Sequence, residues 1–271
     1  MNKVLSTDEV KEAELNILLY FKSVCEENGL KYYLHGGTLI GALRHHGFIP
    51  WDDDIDVAMP REDYQKFIAM TQNSDNQYQV LTADSNDQYY YAFAKITDTT
   101  TIVVNNNEKT KYGVFIDVFP IDEIPTPGII RKIYFTKAYV YKIILMHLNE
   151  QEKKRDHNIV KMMLRFLVTR FNYQKILKKF DSLIKPYPKS QQVSTITTGA
   201  QWDISYEKSW FSDQVSVEFE GYQFPAPSGY DQLLRKYFGN YMSLPPKEKQ
   251  VAHGYTYLLR SGDVTDDKKI Q

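Results

Sequence analysis

Apolar positions recur at helical spacing through Val10, Leu15, Leu18, Phe21 and Val24. A capping pair, Ser6 with Glu9, precedes them and Asn28-Gly29 follows, which predicts a first helix with one core-facing side. Residues 31–34 read as a short strand entering a Gly36-Gly37 turn, then a brief helix and a loop. A second strand is expected over 54–59, and a helix from near Pro60 to about Thr71 with Tyr64, Phe67 and Ile68 inward. Strand-like runs follow at 78–81, 89–96 and 100–104, divided by Asp, Ser and Asn clusters, and then at 112–119, where Pro120 is expected to stop the strand.

Pro125-Thr126-Pro127-Gly128 marks a boundary. Beyond it, 129–149 and 158–185 are long helical patterns, apolar on one side and Lys- or Arg-rich on the other. The tail from Thr198 returns to mixed structure with Trp202, Trp210, a strand over 215–219, a turn at Gly221-Tyr222 and a helix over 230–237 ending at Gly239. The expected class is α+β, a mixed sheet with flanking helices. Its division is a core over 1–127, a basic helical insertion over 128–190, and a C-terminal segment over 191–271 that packs back on the core.

Charge sharpens this division. Residues 1–130 hold 10 Lys and Arg against 20 Asp and Glu, whereas 131–180 hold 13 against 3, within a net charge of only -1. An acidic first half and a basic middle imply separate tasks. The basic helices are either a solvated face or an interfacial surface for anionic lipid headgroups or a polyanionic acceptor. Nucleic acid is disfavoured because no recognised binding motif is present and the neighbouring site is acidic. A single cysteine, Cys25, excludes an internal disulfide framework and a cysteine-based zinc site. With no apolar leader and no run near the roughly 18 residues of a membrane span, the expectation is a cytoplasmic protein.

The candidate chemistry lies between the glycine pair and the second strand. Glycines at a helix mouth let a phosphate approach free backbone N–H groups, where the helix dipole favours negative charge, so Gly36, Gly37 and the N–H of Thr38 form a candidate phosphate cradle. Asp54 and Asp56 flank Ile55, and the alternation of a strand puts both carboxylates on one face. Two adjacent carboxylates repel unless a cation lies between them, and hard oxygen donors near a phosphate suit Mg2+ or Mn2+. Asp117 is a lone acid in an apolar run. Either its strand is an edge with Asp117 facing water, or the strand lies beside the acidic one and Asp117 completes a three-carboxylate metal and base site. Arg44 and Lys95 are candidate cations for a departing phosphate, with a plain surface role as the alternative for each. Asp52 and Asp53 read as supporting or solvated acids, and His45 and His46 as exposed loop residues or substrate contacts.

The run His35-Gly36-Gly37-Thr38-Leu39-Ile40-Gly41-Ala42-Leu43-Arg44, followed by Phe48-Ile49-Pro50-Trp51-Asp52-Asp53-Asp54-Ile55-Asp56, resembles the signature of LicD-type phosphotransferases within the polymerase-beta-like nucleotidyltransferase superfamily. Val114-Phe115-Ile116-Asp117-Val118-Phe119-Pro120 resembles the family's third-acid strand. Phe219-Glu220-Gly221, Tyr237-Phe238-Gly239-Asn240-Tyr241 and Leu244-Pro245-Pro246 resemble its C-terminal pattern, and His253 matches a histidine near that end. The resemblance implies a nucleotidyltransferase-like core that moves phosphocholine from CDP-choline to a sugar hydroxyl of a lipid-linked or polymeric glycan, teichoic acid or lipopolysaccharide in type, releasing CMP. It implies a metal held by Asp54, Asp56 and Asp117, with Asp117 as general base. The basic stretch 129–185 adds a separate expectation, that it holds the enzyme at the inner face of the cell membrane, where lipid-linked acceptors lie.

Three rivals remain open at this level. A CDP-ribitol or CDP-glycerol donor keeps the fold and changes the cargo. A metal-dependent glycosyltransferase explains Asp54-Ile55-Asp56 and leaves Gly36-Gly37 and Asp117 without a task. A calcium-filled binding module leaves the glycine pair unexplained.

Overall fold

The computed structural model describes residues 3–72, 76–86, 89–104, 111–149, 171–197, 205–252 and 254–260. The chain begins with α1 (Thr7–Glu27), β1 (Tyr33–Leu34), α2 (Gly36–His45), β2 (Asp56–Pro60) and α3 (Arg61–Thr71). It continues through β3 (Tyr78–Leu81), β4 (Ala94–Asp98), β5 (Thr101–Val103) and β6 (Phe115–Glu123). Then come α4 (Ile129–Asn149), α5 (Tyr173–Asp181), β7 (Gln192–Ser194), β8 (Tyr206–Glu207), β9 (Gln214–Phe219), β10 (Tyr222–Pro227), α6 (Tyr230–Phe238) and β11 (Tyr257–Leu259).

The principal sheet runs β1-β2-β6-β4-β3, with β7 joining the end of β6 and β8 joining β7. β2 and β6 are parallel and their neighbours antiparallel, so the sheet is mixed and the class is α+β, as expected. Two separate pairs, β9 with β10 and β5 with β11, flank it.

α1 starts at the expected capping box: the Ser6 hydroxyl accepts from the Glu9 N–H, and the Glu9 carboxylate accepts the Ser6 N–H at 2.9 Å. Such a cap contributes about 1 kcal/mol. Ile17, Leu18, Phe21 and Cys25 are fully buried along one side of this helix. The Phe21 ring meets Tyr32 edge-on at 4.9 Å and Phe67 at 5.1 Å, so α1 and α3 lie on the same sheet face. Val57, Met59, Ile96, Ile116 and Val118 supply that face. A smaller cluster of Ile124, Tyr134, Phe135, Ala138, Phe180 and Ile196 joins the end of β6 to α4 and α5.

The structure corrects several element boundaries. Gly36 and Gly37 are the first two residues of α2 rather than a turn before it. β2 begins at Asp56, so Asp54 precedes the regular strand. β4 begins only at Ala94, not at Tyr89. Pro120 does not stop β6, which runs to Glu123. The reason is register: Asp117 donates its N–H to Ile55, and by alternation the nitrogen of Pro120 faces the other side. On that side β4 has ended opposite Val118 and β7 pairs first with Asp122, so no ladder hydrogen bond is lost. A continuous helix over 158–185 is not seen: Asn172 caps a fresh helix, α5, and the chain leaves it after Asp181. Residues 150–170, Trp202 and His253 lie outside the described residues.

The hairpin turn is Glu220-Gly221, with φ of 51° and 78°, rather than Gly221-Tyr222. Two consecutive left-handed residues match the twist of the flanking strands. Tyr222 therefore belongs to β10, a strand concealed in the sequence by Pro225 and Pro227.

Candidate active site

The parallel register of β2 and β6 places Asp56 directly beside Asp117, and the antiparallel register of β4 and β6 places Lys95 on the other side of Asp117. In-register neighbours share a face, so Asp56, Asp117 and Lys95 form one row across three strands. This face is opposite the one covered by α1 and α3.

Lys95 is the centre of the row's electrostatics. Its Nζ lies 2.6 Å from Asp117 Oδ1, with the two side chains only 4% and 14% exposed. The ammonium also sits 3.6 Å from the ring centre of Phe115 and 5.0–5.5 Å from those of Tyr91, Tyr112 and Phe93. A buried ammonium is tolerated here because a carboxylate and four ring faces replace its water. The plain surface role left open for Lys95 is thereby removed.

Asp56 is held by α2. Its N–H donates to Thr38 Oγ1 at 2.8 Å, and its carbonyl accepts the His35 N–H at 3.0 Å. Burial, and then the charges of Asp54, Asp117 and Asp52, push the Asp56 carboxyl well above its ordinary range, while Lys95 opposes them. A Cβ on Gly36 would meet Asp56 Oδ2 at 2.8 Å, and one on Gly37 would meet Asp52 Oδ2 at 2.6 Å. Gly36 also has φ of +53°, which an L side chain rarely adopts. The glycine pair thus gives two carboxylates close access to the positive end of α2, in the region expected to hold a phosphate.

The loop carrying Asp52, Asp53 and Asp54 is anchored at both ends. His46 caps α2 in the left-handed conformation, and the Gly47 N–H returns to the Gly41 carbonyl. From the β9–β10 turn, Glu220 Oε1 accepts the Phe48 N–H at 3.0 Å and the Glu220 N–H donates to the His46 carbonyl at 2.9 Å. Lys11 of α1 reaches the carbonyls of Ile49 and Pro50. Glu220 is a positioning residue that the sequence pattern noted without a task.

The other candidates lie elsewhere. The Arg44 guanidinium donates to the carbonyls of Tyr241 at 2.7 Å and Ser243 at 3.3 Å, which ties α2 to the segment after α6. His45 ends α2, accepts from Arg44 Nε at 2.9 Å and stands edge-on to Trp51. His35, the residue before α2, is buried against Phe119, and desolvation lowers its imidazole to about 4, so it is neutral at physiological pH.

A groove of about 1260 Å³ lies past the end of the row and reaches round to α3: Arg61, Tyr64, Gln65 and Ile68 line it, and none of Asp52, Asp54, Asp56, Lys95 or Asp117 does. Tyr33, Pro60, Phe93, Ile121 and Glu123 line it, at two-residue steps from Asp56, Asp117 and Lys95 along their strands or in register with them. Tyr91 and Phe93 are shared between the groove and Lys95. Further along it, Arg61 makes a two-point contact with Asp122 at 2.6 Å, with Asp84 and Asp181 nearby.

Beyond burial, Asp54, Asp117 and Asp52 add to the cost of ionising Asp56, and carboxylate oxygens are the kind of donor a hard divalent ion takes. Lys95 is the cation Asp117 faces in this arrangement. Among the described residues no three His, Cys, Asp or Glu side chains converge on one point that could hold an ion.

The model of the LicD/FKTN/FKRP nucleotidyltransferase domain matches residues 29–148, which contain every member of the row. The lipopolysaccharide cholinephosphotransferase LicD of Haemophilus influenzae is 36% identical over 261 residues, covering 93% of this chain and 97% of that protein. The human ribitol 5-phosphate transferase FKRP is 48% identical over 44 residues, which is 16% of this chain and 9% of that one. Mannosyltransferase regulator 4 of Saccharomyces cerevisiae is 28% identical over 120 residues, 44% of this chain and 10% of its own. Because the Haemophilus likeness runs through nearly the whole of both chains, beyond the acid row and into the C-terminal segment that anchors it, the chain belongs to the LicD family.

Proposed function

We propose that the protein transfers phosphocholine from CDP-choline to a sugar hydroxyl of a cell-surface glycan precursor and releases CMP. It is an enzyme, and likeness to the Haemophilus cholinephosphotransferase over nearly its full length makes phosphocholine the transferred group. The observation that carries the finer reading is the in-register row of Asp56, Asp117 and Lys95 beside a groove walled by Tyr33, Tyr91, Phe93 and Phe211. Aromatic faces with the carboxylates of Asp84 and Asp181 suit the quaternary ammonium of choline.

Asp54, Asp56 and Asp117 would hold a Mg2+ or Mn2+ ion, which when bound offsets the charge of the donor diphosphate. Asp117 accepts the proton of the attacking sugar hydroxyl as the oxygen bonds to the phosphorus of phosphocholine. The bond from that phosphorus to the CMP oxygen breaks, and Lys95 offsets the charge that grows on the departing phosphate. Thr38 and His35 keep the backbone of Asp56 in place, and the aromatic wall keeps water from the transferred group.

Phosphorus NMR with Mg2+ and a panel of CDP-choline, CDP-ribitol, CDP-glycerol, UDP-sugars and CTP tests this reading. CMP and phosphocholine are expected from CDP-choline alone, with turnover falling about 10³-fold or more in Asp54→Asn. The short likeness to the ribitol 5-phosphate transferase supports a second reading, a CDP-polyol donor on the same row; turnover of CDP-ribitol instead of CDP-choline would select it.

A lipid-linked acceptor calls for an enzyme at the cytoplasmic membrane face. Among the described residues no helix is long and apolar enough to cross a membrane. α4 nevertheless exposes Ile129, Ile130, Ile133 and Val140 beside Lys132 and Lys137, the composition of an interfacial helix. The protein is expected to sediment with anionic vesicles at low ionic strength, and Ile130→Asp with Ile133→Asp to release it. Failure to sediment at low salt removes the membrane part of the reading.

A further inference from the structure

The aromatic run before β4 is not strand, yet its side chains sort to two sides. Tyr90 and Ala92 pack on the α4–α5 pair, against the cluster of Leu145, Leu148, Tyr173, Ile176 and Leu177. Tyr91 and Phe93 turn to Lys95, whose Nζ lies 5.0 and 5.5 Å from their ring centres, and both line the groove. Residues 89–93 are thus a partition between two helices and the aromatic cage of the row. Ladder pairing of β4 starts only at Ala94, so the partition depends on side chains for its position.

Tyr173, on the first turn of α5 and 8% exposed, is the tie. Its hydroxyl donates to the Tyr89 carbonyl, and its ring centre lies 4.2 Å from that of Tyr90. Phenylalanine would serve the packing equally well; the hydroxyl is there for the carbonyl. One and two turns on, the same face of α5 carries Leu177 and Asp181, which line the groove. Tyr89 closes the partition on itself by donating its own hydroxyl to the Phe93 carbonyl at 2.8 Å. From Phe93 the ring contacts continue to Phe119 at 4.6 Å and from Phe119 to His35 at 6.0 Å, the residue whose N–H holds the Asp56 carbonyl. Packed rings pass a displacement on, because an interior of this density does not absorb it.

We propose that Tyr173 is a positioning residue of the donor site: its hydroxyl holds the partition closed, so that Tyr91 and Phe93 stand where Lys95 and the choline ammonium meet them. The inference rests on the donor reading given above. Without the hydroxyl, the Tyr89 carbonyl loses a donor and the open form of 89–93 gains population. Donor binding must then close the segment, which raises KM by the loss of the competent fraction and leaves the bound complex much as before.

The test compares the whole parent protein with Tyr173→Phe, which keeps the ring, and with Leu18→Val, which loses core packing in α1 on the opposite sheet face. Hydrolysis of CDP-choline with Mg2+ is followed by phosphorus NMR. Native-state cutting by chymotrypsin is read by mass spectrometry of the fragments that end within 89–93. In Tyr173→Phe, cutting there is expected to speed up about 5- to 10-fold and CDP-choline to slow it again. KM for CDP-choline is expected to rise about 5- to 10-fold, with kcat falling about twofold or less. Leu18→Val is expected to melt below the parent yet keep its KM and its rate of cutting within 89–93. Parental KM or parental cutting in Tyr173→Phe, or an equal rise of both in Leu18→Val, overturns the proposal and leaves the donor reading in place. Parent protein that does not turn over CDP-choline overturns the donor reading and the proposal with it.

Discussion

Lys95→Met is expected to lower donor turnover about 10²- to 10³-fold and to cost about 3–5 kcal/mol of folding stability. Methionine is chosen because it fills the same length and packs well against rings, so Phe115, Tyr91, Phe93 and Tyr112 lose a charge and little volume. What remains is Asp117 beside Asp56 in register, with Asp54 and Asp52 close by and the opposing cation gone. Two carboxylates in that position cannot both ionise cheaply. Urea unfolding in chelator reads the stability, and the phosphorus NMR assay reads the turnover.

The double variant Lys95→Met with Asp117→Asn separates the two effects. Removing both members of a buried pair is far less damaging than removing one, so stability should largely return while turnover does not. If Lys95→Met alone kept parental turnover and stability, the lysine would be a passenger of the aromatic cage and the row would reduce to its acids.

What the sequence disclosed follows the range of the interactions involved. The cap at Ser6 and Glu9, the end of α1 at Asn28 and the end of α6 at Gly239 are local chemistry, and each stands where its residues place it. The two acids Asp56 and Asp117 were legible as candidates, but their adjacency depends on a parallel pairing between strands far apart in the chain. Local rules failed where tertiary pairing absorbed them. Pro120, Pro225 and Pro227 turn their nitrogens away from any ladder, so residues that read as breakers sit inside strands. The run from Tyr89 to Phe93 reads as strand because it is aromatic; in the structure Tyr89 donates its hydroxyl to the Phe93 carbonyl and Tyr91 and Phe93 turn toward Lys95.

Gly41→Ala is expected to cost about 1–3 kcal/mol of stability and about 10²-fold in turnover, although Gly41 touches no reacting group. A Cβ at this position would drive into the Gly47 carbonyl oxygen, well inside van der Waals contact, and would lie 3.3 Å from the Ile49 nitrogen. Both obstacles are backbone, so no side chain can swing aside to make room. The displaced segment is the start of the loop that carries Asp52, Asp53 and Asp54, and it is already pinned by Glu220 at Phe48 and by Lys11 at Ile49 and Pro50. With those anchors fixed, the shift passes toward the acids, and a displacement of about 1 Å at a carboxylate that positions a diphosphate is enough for such a loss. Gly29→Ala provides the comparison. Gly29 has φ of +62° with nothing within 4 Å of its Cβ position, so alanine there costs about 1–2 kcal/mol of backbone strain far from the loop. Its turnover is expected to stay near parental. Equal turnover in the two variants, at similar losses of stability, would mean that the loop absorbs the Cβ without moving its acids, and that Gly41 serves packing alone.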